Sequence, residues 1–261
     1  MDLGLNGGVA VVTGGASNIG RAIALELAAE GARVVIADRD AAMSERTVAD
    51  ITAAGGDATA IAVDLTETAL VEEAVHAIET DVGPIVTLVN NVGWNGTAGF
   101  FLDIEPERWE RAYQLNLATT FAATRAVLPG MVERRRGAIV SIASDAGFGQ
   151  PRVSDYGAMK AGVMAFTRSI AQEYGRFGIR ANTVCPGLVV PDPADIGEHS
   201  LWQDDAGMDD RAVAAIEGAT PLRVRPEAVD IAWTVAFLAS DRARRLTGQV
   251  MSVSGGFVMP R

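Results

Sequence analysis

Short apolar runs alternate with helical patterns along most of the chain. Runs rich in valine, isoleucine and alanine are typical of strands that are buried on both faces of a parallel sheet. Seven runs of this kind lie at residues 8–13, 33–38, 58–63, 85–90, 137–143, 179–184 and 249–254. Apolar positions with helical spacing lie between them, and the longest predicted helices cover residues 107–133 and 154–177.

This alternation predicts an α/β protein with one doubly wound parallel sheet of the Rossmann type and helices on both faces, as right-handed crossovers require. The 261 residues suit a single doubly wound unit, and no internal repeat, low-complexity tract or linker divides the sequence. We therefore expect residues 1–261 to form one domain.

One segment, residues 190–220, interrupts the alternation. It begins Val190-Pro191-Asp192-Pro193, has no clear strand, and carries eight acidic residues against a single arginine. Because it follows the sixth predicted strand, it should lie at the carboxyl edge of the sheet, where doubly wound folds bind their ligands. We expect it to form a helical lid over a substrate.

The composition excludes several classes of protein. A net charge of −11 argues against nucleic acid and anionic membranes as partners. No run approaches the roughly 20 apolar residues of a membrane span. The N-terminus lacks a signal-peptide pattern, so we expect a cytoplasmic protein. The single cysteine, Cys185, reads as a buried structural thiol, and with only two histidines the chain offers no metal-ligand spacing.

A glycine-rich turn connects the first predicted strand to the first predicted helix. Residues 13–20 read Thr-Gly-Gly-Ala-Ser-Asn-Ile-Gly. Glycine permits a tight turn and lets the backbone approach a pyrophosphate, while the helix N-terminus supplies N–H groups and a positive dipole. The strand–turn–helix context favours a dinucleotide-binding site over an ordinary glycine-rich turn.

The second predicted strand ends at Asp38, about 20 residues beyond the turn. A carboxylate at this position would accept hydrogen bonds from the adenosine ribose hydroxyls and would repel the 2′-phosphate of NADP. Arg39 follows directly and would instead attract that phosphate. On balance these charges favour NAD over NADP.

Tyr156 and Lys160 lie four residues apart in a predicted helix and therefore share one face. An ammonium beside a phenol favours the phenolate and lowers the pKa of the phenol from about 10. A phenol tuned in this way can give or take the proton of an alcohol. Ser144 would hydrogen-bond the substrate oxygen and stabilise developing alkoxide charge. Ser141 is the rival serine, but it lies within the predicted strand.

With these motifs the chain resembles the short-chain dehydrogenase/reductase family over nearly its whole length. The markers follow the family's order: the turn at 13–20, Asp64, Asn90-Asn91-Val92-Gly93, Asn116, Ser144, Tyr156 with Lys160, Pro186-Gly187 and Thr247-Gly248-Gln249. The resemblance implies that Tyr156 is the catalytic acid/base and that Lys160 also holds the nicotinamide ribose. It further implies that Asn116 bends a long helix and holds a water that links the lysine to solvent.

The resemblance also implies contacts with the nicotinamide cofactor. The expected contact residues are Gly14, Ser17, Asn18, Ile19, Asp38, Asp64, Leu65, Asn91, Gly93, Tyr156, Lys160, Pro186, Gly187 and Val189. Gly93 would let the adenosine side of the cofactor approach the backbone. Asp64 would meet the adenine edge, although a helix N-cap explains this residue almost as well.

Two positions depart from the family pattern. Asn18 stands where the family usually has glycine, and asparagine tolerates a left-handed backbone better than most residues. Pro191 lies where the family often has a threonine that binds the nicotinamide amide. Backbone groups at Val189 would then have to make that contact.

A narrower likeness concerns the substrate. Residues 91–94, 128–135, 142–145 and 247–256 are similar to the NAD-dependent 2-hydroxycyclohexanecarboxyl-CoA dehydrogenases. The likeness implies hydride transfer between NAD(H) and a secondary alcohol or ketone in a cyclic or hydroxyacyl substrate. Two alternatives remain open: an NADPH-dependent 3-oxoacyl thioester reductase, and a nucleotide-sensing regulator without turnover. The acidic segment 190–220 would repel the phosphates of a CoA group.

Further residues have expected roles outside this set. Candidates for the substrate pocket are Trp94, Phe148, Gln150, Leu188 and Trp202. The run Arg134-Arg135-Arg136 complements the dipole at a helix C-terminus. The resemblance implies a homotetramer with two-fold interfaces, and Met164, Phe166, Ile170 and the apolar C-terminal stretch 250–259 are candidates for its contact surfaces.

Overall fold

The computed structural model describes residues 3–197, 200 and 210–260. It contains one sheet of seven parallel strands in the spatial order β3-β2-β1-β4-β5-β6-β7. The strands are β1 (Val9–Thr13), β2 (Arg33–Asp38), β3 (Asp57–Ala62), β4 (Ile85–Asn90), β5 (Gly137–Ile142), β6 (Ile179–Pro186) and β7 (Val250–Val253). All seven predicted strands are confirmed, each within two residues of its expected ends.

Helices cover both faces of the sheet. Within the described residues they are α1 (Asn18–Ala29), α2 (Ala41–Ala53), α3 (Thr68–Asp81), α4 (Pro106–Tyr113), α5 (Thr119–Arg134), α6 (Ser154–Tyr174), α7 (Asp210–Ala219) and α8 (Ala228–Ala239). One apolar core joins the sheet to α1 and α8, and a second joins it to α3, α5 and α6. The expected doubly wound α/β fold is therefore confirmed. No helix in the described ranges is long and apolar enough to cross a membrane.

The two cores explain why the strands read as uninterrupted apolar runs. Along β1, Ala10 and Val12 pack into the first core, whereas Val9 and Val11 pack into the second. Successive residues of a strand point to opposite faces, so a strand with a core on each side must be apolar at every position.

The long helix predicted at 107–133 is two helices in the structure. Helices α4 and α5 are joined by a π-helical segment at Gln114–Ala118. The side chain of Asn116, in the middle of this segment, donates a hydrogen bond to the carbonyl of Ala112 at 2.9 Å. The second long helix begins at Ser154 as expected, and its last predicted turn is the 3-10 helix Gly175–Phe177.

The strand order places the ligand-binding edge of the sheet. The chain runs outward from β1 to β2 and β3, then returns to β4 on the other side of β1. The crossovers thus leave in opposite directions at β1 and β4, which opens a crevice at their carboxyl ends. The glycine turn follows β1 at this crevice.

Candidate active site

One cleft at the carboxyl edge brings together all but one of the predicted site residues. Those that line it are Gly14, Ser17, Asn18, Ile19, Asp38, Asp64, Leu65, Asn91, Gly93, Ser144, Tyr156, Lys160, Pro186, Gly187 and Val189. Asn116 is the exception and lies buried behind the wall of the cleft. Residues that are distant in sequence therefore converge as the motifs indicated.

The glycine turn is held in a shape that favours glycine at two of its positions. Gly14 has φ of +63°, and a Cβ atom on Gly20 would lie 1.9 Å from the carbonyl oxygen of Gly14. The side-chain amide of Asn91 donates hydrogen bonds to the carbonyls of Thr13 at 3.1 Å and Gly14 at 3.0 Å. Asn91, which directly follows β4, therefore fastens the turn to the neighbouring chain segment. Asn18 has φ of +45°, a left-handed conformation that asparagine tolerates.

Asp38 presents a carboxylate to the cleft beside the glycine turn. Its Oδ2 accepts a hydrogen bond from the amide of Ala16 at 3.1 Å, and its Oδ1 accepts one from Asp40 at 3.0 Å. Burial raises the pKa of Asp38, and these two donors oppose the rise. Arg39 lines the same cleft. The cleft therefore contains both the Asp38 carboxylate, which would repel the 2′-phosphate of NADP, and the Arg39 cation, which would attract it.

Asp64 closes a turn and does not cap a helix. Its Oδ1 accepts hydrogen bonds from the amide of Thr66 at 2.9 Å and from its hydroxyl at 2.7 Å. These bonds lower the pKa of Asp64. Helix α3 begins at Thr68 with Glu67 as its N-cap residue, so the alternative that Asp64 is the N-cap is wrong.

Tyr156 and Lys160 lie one turn apart near the start of α6. The Lys160 side chain is only 2 % exposed, and its Nζ donates a hydrogen bond to the carbonyl of Ile142 at 3.0 Å. This ammonium lies 5.7 Å from the centre of the Tyr156 ring. Burial lowers the pKa of Lys160 to about 8. A Cβ atom on Gly93 would lie 2.8 Å from Nζ, so the glycine makes room for the lysine.

The two candidate serines have different surroundings. Ser144 follows β5, lines the cleft and accepts a hydrogen bond from the amide of Ala146 at 3.1 Å. Ser141 is buried within β5, where its hydroxyl accepts a hydrogen bond from the amide group of Asn90 at 3.3 Å. Of the two, Ser144 faces the space available to a substrate.

Asn116 has a contact that the sequence did not indicate. Its Oδ1 accepts a hydrogen bond from the amide of Trp94 at 3.0 Å, and its Nδ2 donates one to the carbonyl of Trp94 at 2.8 Å. The asparagine therefore holds the loop after β4 against the π-helical segment.

Comparison with known proteins agrees with this geometry. A family model described as enoyl-(acyl carrier protein) reductase matches residues 14–258. The chain belongs to the short-chain dehydrogenase/reductase family. This assignment makes it an oxidoreductase of CH–OH and C=O groups in a family that uses nicotinamide cofactors.

Several relatives have similar lengths. The chain is 40 % identical over 228 residues to inactive 2-(S)-hydroxypropyl-CoM dehydrogenase 2 of Xanthobacter autotrophicus, covering 87 % of this chain and 95 % of that one. It is 34 % identical to 2,3-dihydro-2,3-dihydroxybenzoate dehydrogenase of Bacillus subtilis, with 97 % of each covered. It is 35 % identical to a 3-oxoacyl-[acyl-carrier-protein] reductase of Staphylococcus epidermidis, with 96 % and 98 % covered.

A solved structure shows the same fold. The crystal structure of gox2181 superimposes with a TM-score of 0.90 at 35 % sequence identity, covering 98 % of this chain and 97 % of that one. The residues of the cleft also fit the cofactor class of the family. Gly14 and Gly20 bring no side chains to the turn at the N-terminus of α1, and the Asp38 carboxylate in the same cleft would accept hydrogen bonds from ribose hydroxyls of such a cofactor.

The rest of the cleft wall is partly as expected. Trp94, Gln150 and Leu188 line it, whereas Phe148 does not, and Trp202 lies outside the described residues. Sequence reasoning missed further lining residues, which include Asn95, Val153, Ile216 and Phe257. No short motif marks these positions, because tertiary packing alone brings them to the cleft.

Two other predictions from the sequence concern residues outside the cleft. Arg134 lies in the last turn of α5, as expected for a cation that complements the helix dipole, and forms a two-pronged ion pair with Glu79 at 2.7 and 2.8 Å. Cys185 is buried as expected, and burial raises the pKa of its thiol to about 12. A protonated, buried thiol of this kind is a structural residue.

Asp145, next to Ser144, is a buried carboxyl that no motif indicated. Its side chain accepts a hydrogen bond from the hydroxyl of Ser252 on β7 at 3.0 Å, and the residue is 1 % exposed. Burial raises the pKa of Asp145 from 3.8 to about 6, although hydrogen bonds from Ser252 and Ser254 oppose the shift.

This shift predicts a pH-dependent cost to stability. A carboxyl with a raised folded-state pKa favours the fold at pH below 3.8 and loses that contribution as the pH rises through 6. Relative to Asp145→Asn, the wild type should therefore lose about 2 kcal/mol of unfolding free energy between pH 4.5 and pH 7.5. Urea unfolding of both proteins at pH 4.5 and 7.5 measures this difference. A difference that does not change with pH would contradict the assignment.

Proposed function

We propose that the protein transfers a hydride between NAD(H), which would supply or accept it when bound, and a secondary alcohol or ketone of a small cyclic or hydroxyacyl substrate. The observation that carries this proposal is the convergence of Tyr156, the buried Lys160 and Ser144 in the cleft that begins at the glycine turn. A nucleotide-sensing protein would have no use for a phenol placed beside a buried ammonium.

Each side chain has a distinct task in this proposal. The Tyr156 hydroxyl gives or takes the proton of the substrate oxygen. Since the Ser144 oxygen accepts the Ala146 amide, its own proton is free to be donated to the substrate oxygen, where it stabilises alkoxide charge. Lys160 uses one hydrogen for the Ile142 carbonyl and keeps two for the ribose hydroxyls of the cofactor.

The charge of Lys160 links the site to pH. With a pKa of about 8, the ammonium is mostly protonated at neutral pH and lies close enough to Tyr156 to favour its phenolate. Because the phenolate is the form that removes a proton from an alcohol, we expect alcohol oxidation to accelerate as the pH rises and then to level off.

The Tyr156→Phe variant tests the mechanism. The change removes one hydroxyl and should lower turnover by roughly 10²–10⁴-fold while cofactor binding stays nearly unchanged. Turnover is measured with NAD and NADP on a panel of cyclic alcohols and hydroxyacyl thioesters. Tyr174→Phe, at the other end of the same helix and outside the cleft, is the matched control. Near-normal activity of Tyr156→Phe would show that another group carries the proton.

A second variant separates the role of the lysine. Lys160→Ala removes the positive charge that favours the phenolate, so the inflection of the oxidation rate should move to higher pH, and NAD should bind more weakly. An inflection that stays in place would assign it to a different group.

Cofactor preference follows from Asp38. Its carboxylate would repel a 2′-phosphate, so NAD(H) should bind at least about tenfold more tightly than NADP(H), a difference of ~1.4 kcal/mol. Titration of both cofactors measures the ratio, and Asp38→Ala should narrow it. Asp57→Ala, which removes an exposed carboxylate outside the cleft, should leave the ratio unchanged. Equal affinities in the wild type would instead implicate Arg39 as a phosphate ligand.

A 3-oxoacyl thioester reductase that uses NADPH is the second candidate function. It is favoured by Arg39 in the cleft and by the likeness to the 3-oxoacyl-[acyl-carrier-protein] reductase. Reduction of acetoacetyl-CoA with NADPH, faster than oxidation of any cyclic alcohol with NAD, would support it over the first.

We further propose that residues 190–220 cover the substrate. In the described part of this segment, Ser200 and Ile216 line the cleft. Its first residues are fastened to the cofactor-binding side, where Arg46 donates to the carbonyl of Ala194 at 2.7 Å and Arg21 lies 3.6 Å from Asp195. A segment placed in this way would cover a substrate bound in the cleft.

Assembly as a homotetramer is supported by two apolar surfaces. One is a groove whose lining includes Tyr113, Phe121, Phe166 and the largely buried Ile170, and the other exposes Trp233 and Phe237 on α8. Met259, in the C-terminal stretch, is also exposed. Two separate faces suit two kinds of two-fold contact. The expectation that Met164 takes part is wrong, because Met164 is packed inside the chain with Ala143, Val163 and Cys185.

Light scattering at micromolar concentration should give four times the mass of the chain. Phe121→Asp places a charge in the groove and should yield smaller species. Leu70→Asp, at an exposed position outside the groove, should leave the mass unchanged. A monomer in the wild type would refute the proposal.

A further inference from the structure

The loop between β4 and α4 forms a wall of the cleft without regular secondary structure of its own. Residues 91–100 are irregular, and Trp94 and Asn95 from this loop line the cleft. An irregular segment keeps one conformation only where side chains hold its backbone. The contacts of the loop therefore decide how well the wall is defined.

Two arginines of α4 contact this wall, and neither of them lines the cleft. Arg111 on α4 stacks its guanidinium 4.3 Å from the ring centre of Trp94. Arg108, on the same helix, donates hydrogen bonds to the carbonyl of Thr97 and, at 3.4 Å, to that of Asn95. One guanidinium thus binds two backbone carbonyls of the loop.

The same guanidinium also binds the helix that carries the catalytic candidates. Arg108 Nε lies 2.7 Å from Oδ2 of Asp155, and its Nη2 lies 3.1 Å from Oδ1. Asp155 directly precedes Tyr156 in the first turn of α6, and its side chain is 1 % exposed. A carboxylate there complements the helix dipole, and its two-pronged pairing fixes the direction of the arginine.

This ion pair fixes the positions of the groups that it joins more than it stabilises the fold. A buried ion pair contributes little net stability compared with apolar residues, because both charges lose their hydration. Its geometry is nevertheless demanding, since a planar guanidinium can satisfy the carboxylate and the two carbonyls only in one orientation. Lysine has a point charge and cannot reproduce this fork.

From these contacts we infer that Arg108 is a positioning residue for substrate. Through Asp155 and the carbonyls of Asn95 and Thr97, it fixes the wall that contains Trp94 relative to the Tyr156 hydroxyl. Arg108 thereby sets how the substrate fits against the proton carrier, without contacting the cofactor turn. This inference rests on the proposed function of the cleft.

The kinetic test uses Arg108→Met, with Arg33→Met as the matched control, because Arg33 also pairs with a carboxylate, that of Asp57 at 3.0 Å, but lies outside the cleft and the groove. With NADH and cyclohexanone or acetoacetyl-CoA as probes, KM for the ketone should rise at least about tenfold, whereas the Kd for NADH should change less than about twofold. Arg108→Lys should recover only part of the loss. An unchanged KM, or an equal loss of NADH binding, would overturn the inference.

A second measurement does not depend on turnover. Hydrogen–deuterium exchange of the NADH-bound protein should become faster at residues 93–100 in Arg108→Met and stay unchanged at residues 13–20. Unchanged exchange at 93–100 would overturn the inference. If the wild type reduces neither probe, the proposed function fails on that substrate class while exchange still decides the role of Arg108.

A further variant guards against simple misfolding. Arg108→Met leaves Asp155 as an unpaired buried charge, so the double variant Arg108→Met with Asp155→Leu removes both charges together. It should fold and still show the raised KM and the faster exchange at 93–100. Wild-type values of both in the double variant would contradict a positioning role.

Discussion

The site depends on burying one ammonium group. Lys160 is surrounded by the chain, and burial alone would drive it towards the neutral form, as its lowered pKa shows. The neighbouring structure supplies what the charge needs: the carbonyl of Ile142 as an acceptor and a glycine at position 93 that leaves space for Nζ. The ends of β4 and β5 and the first turns of α6 are therefore constrained together. In the proposed mechanism, any change that admits water here also weakens the influence of this charge on the Tyr156 hydroxyl.

Around this group, polar side chains fasten irregular segments to regular ones. Asn91 clamps the glycine turn, Asn116 holds the backbone of Trp94, and Asp145 ties the turn after β5 to β7. Each of these side chains is short and at least partly buried, so its hydrogen bonds are directional and shielded from solvent. The cleft is consequently shaped by side chains that bind backbone groups, in addition to the residues that face its interior.

The sequence revealed those features that have a local pattern. Strands buried on both faces are apolar throughout, the glycine turn is contiguous, and Tyr156 and Lys160 are separated by one helical turn. It did not reveal the pair of Arg108 and Asp155, because 47 residues separate them and neither lies in a motif. The π-helical segment was missed for another reason, since its apolar spacing continues that of the flanking helices. The sequence also did not reveal that Met164 is buried within the chain, because that burial depends on tertiary packing.

The π-helical segment has a consequence for how this part of the molecule tolerates length changes. The segment lies between α4, which carries Arg108, and α5, which packs on the sheet. Its turn is wider than that of an α-helix, because its hydrogen bonds join residues five apart. Each residue of an α-helix advances the chain by about 100° around the axis. A π-turn holds one residue more than an α-turn for nearly the same rotation, so loss of one residue between 114 and 118 would convert the segment into an α-turn and leave α4 at nearly its present angle to α5. The flanking helices would therefore tolerate such a deletion, whereas the wall of the cleft would not if it removed or displaced Asn116, which holds the backbone of Trp94.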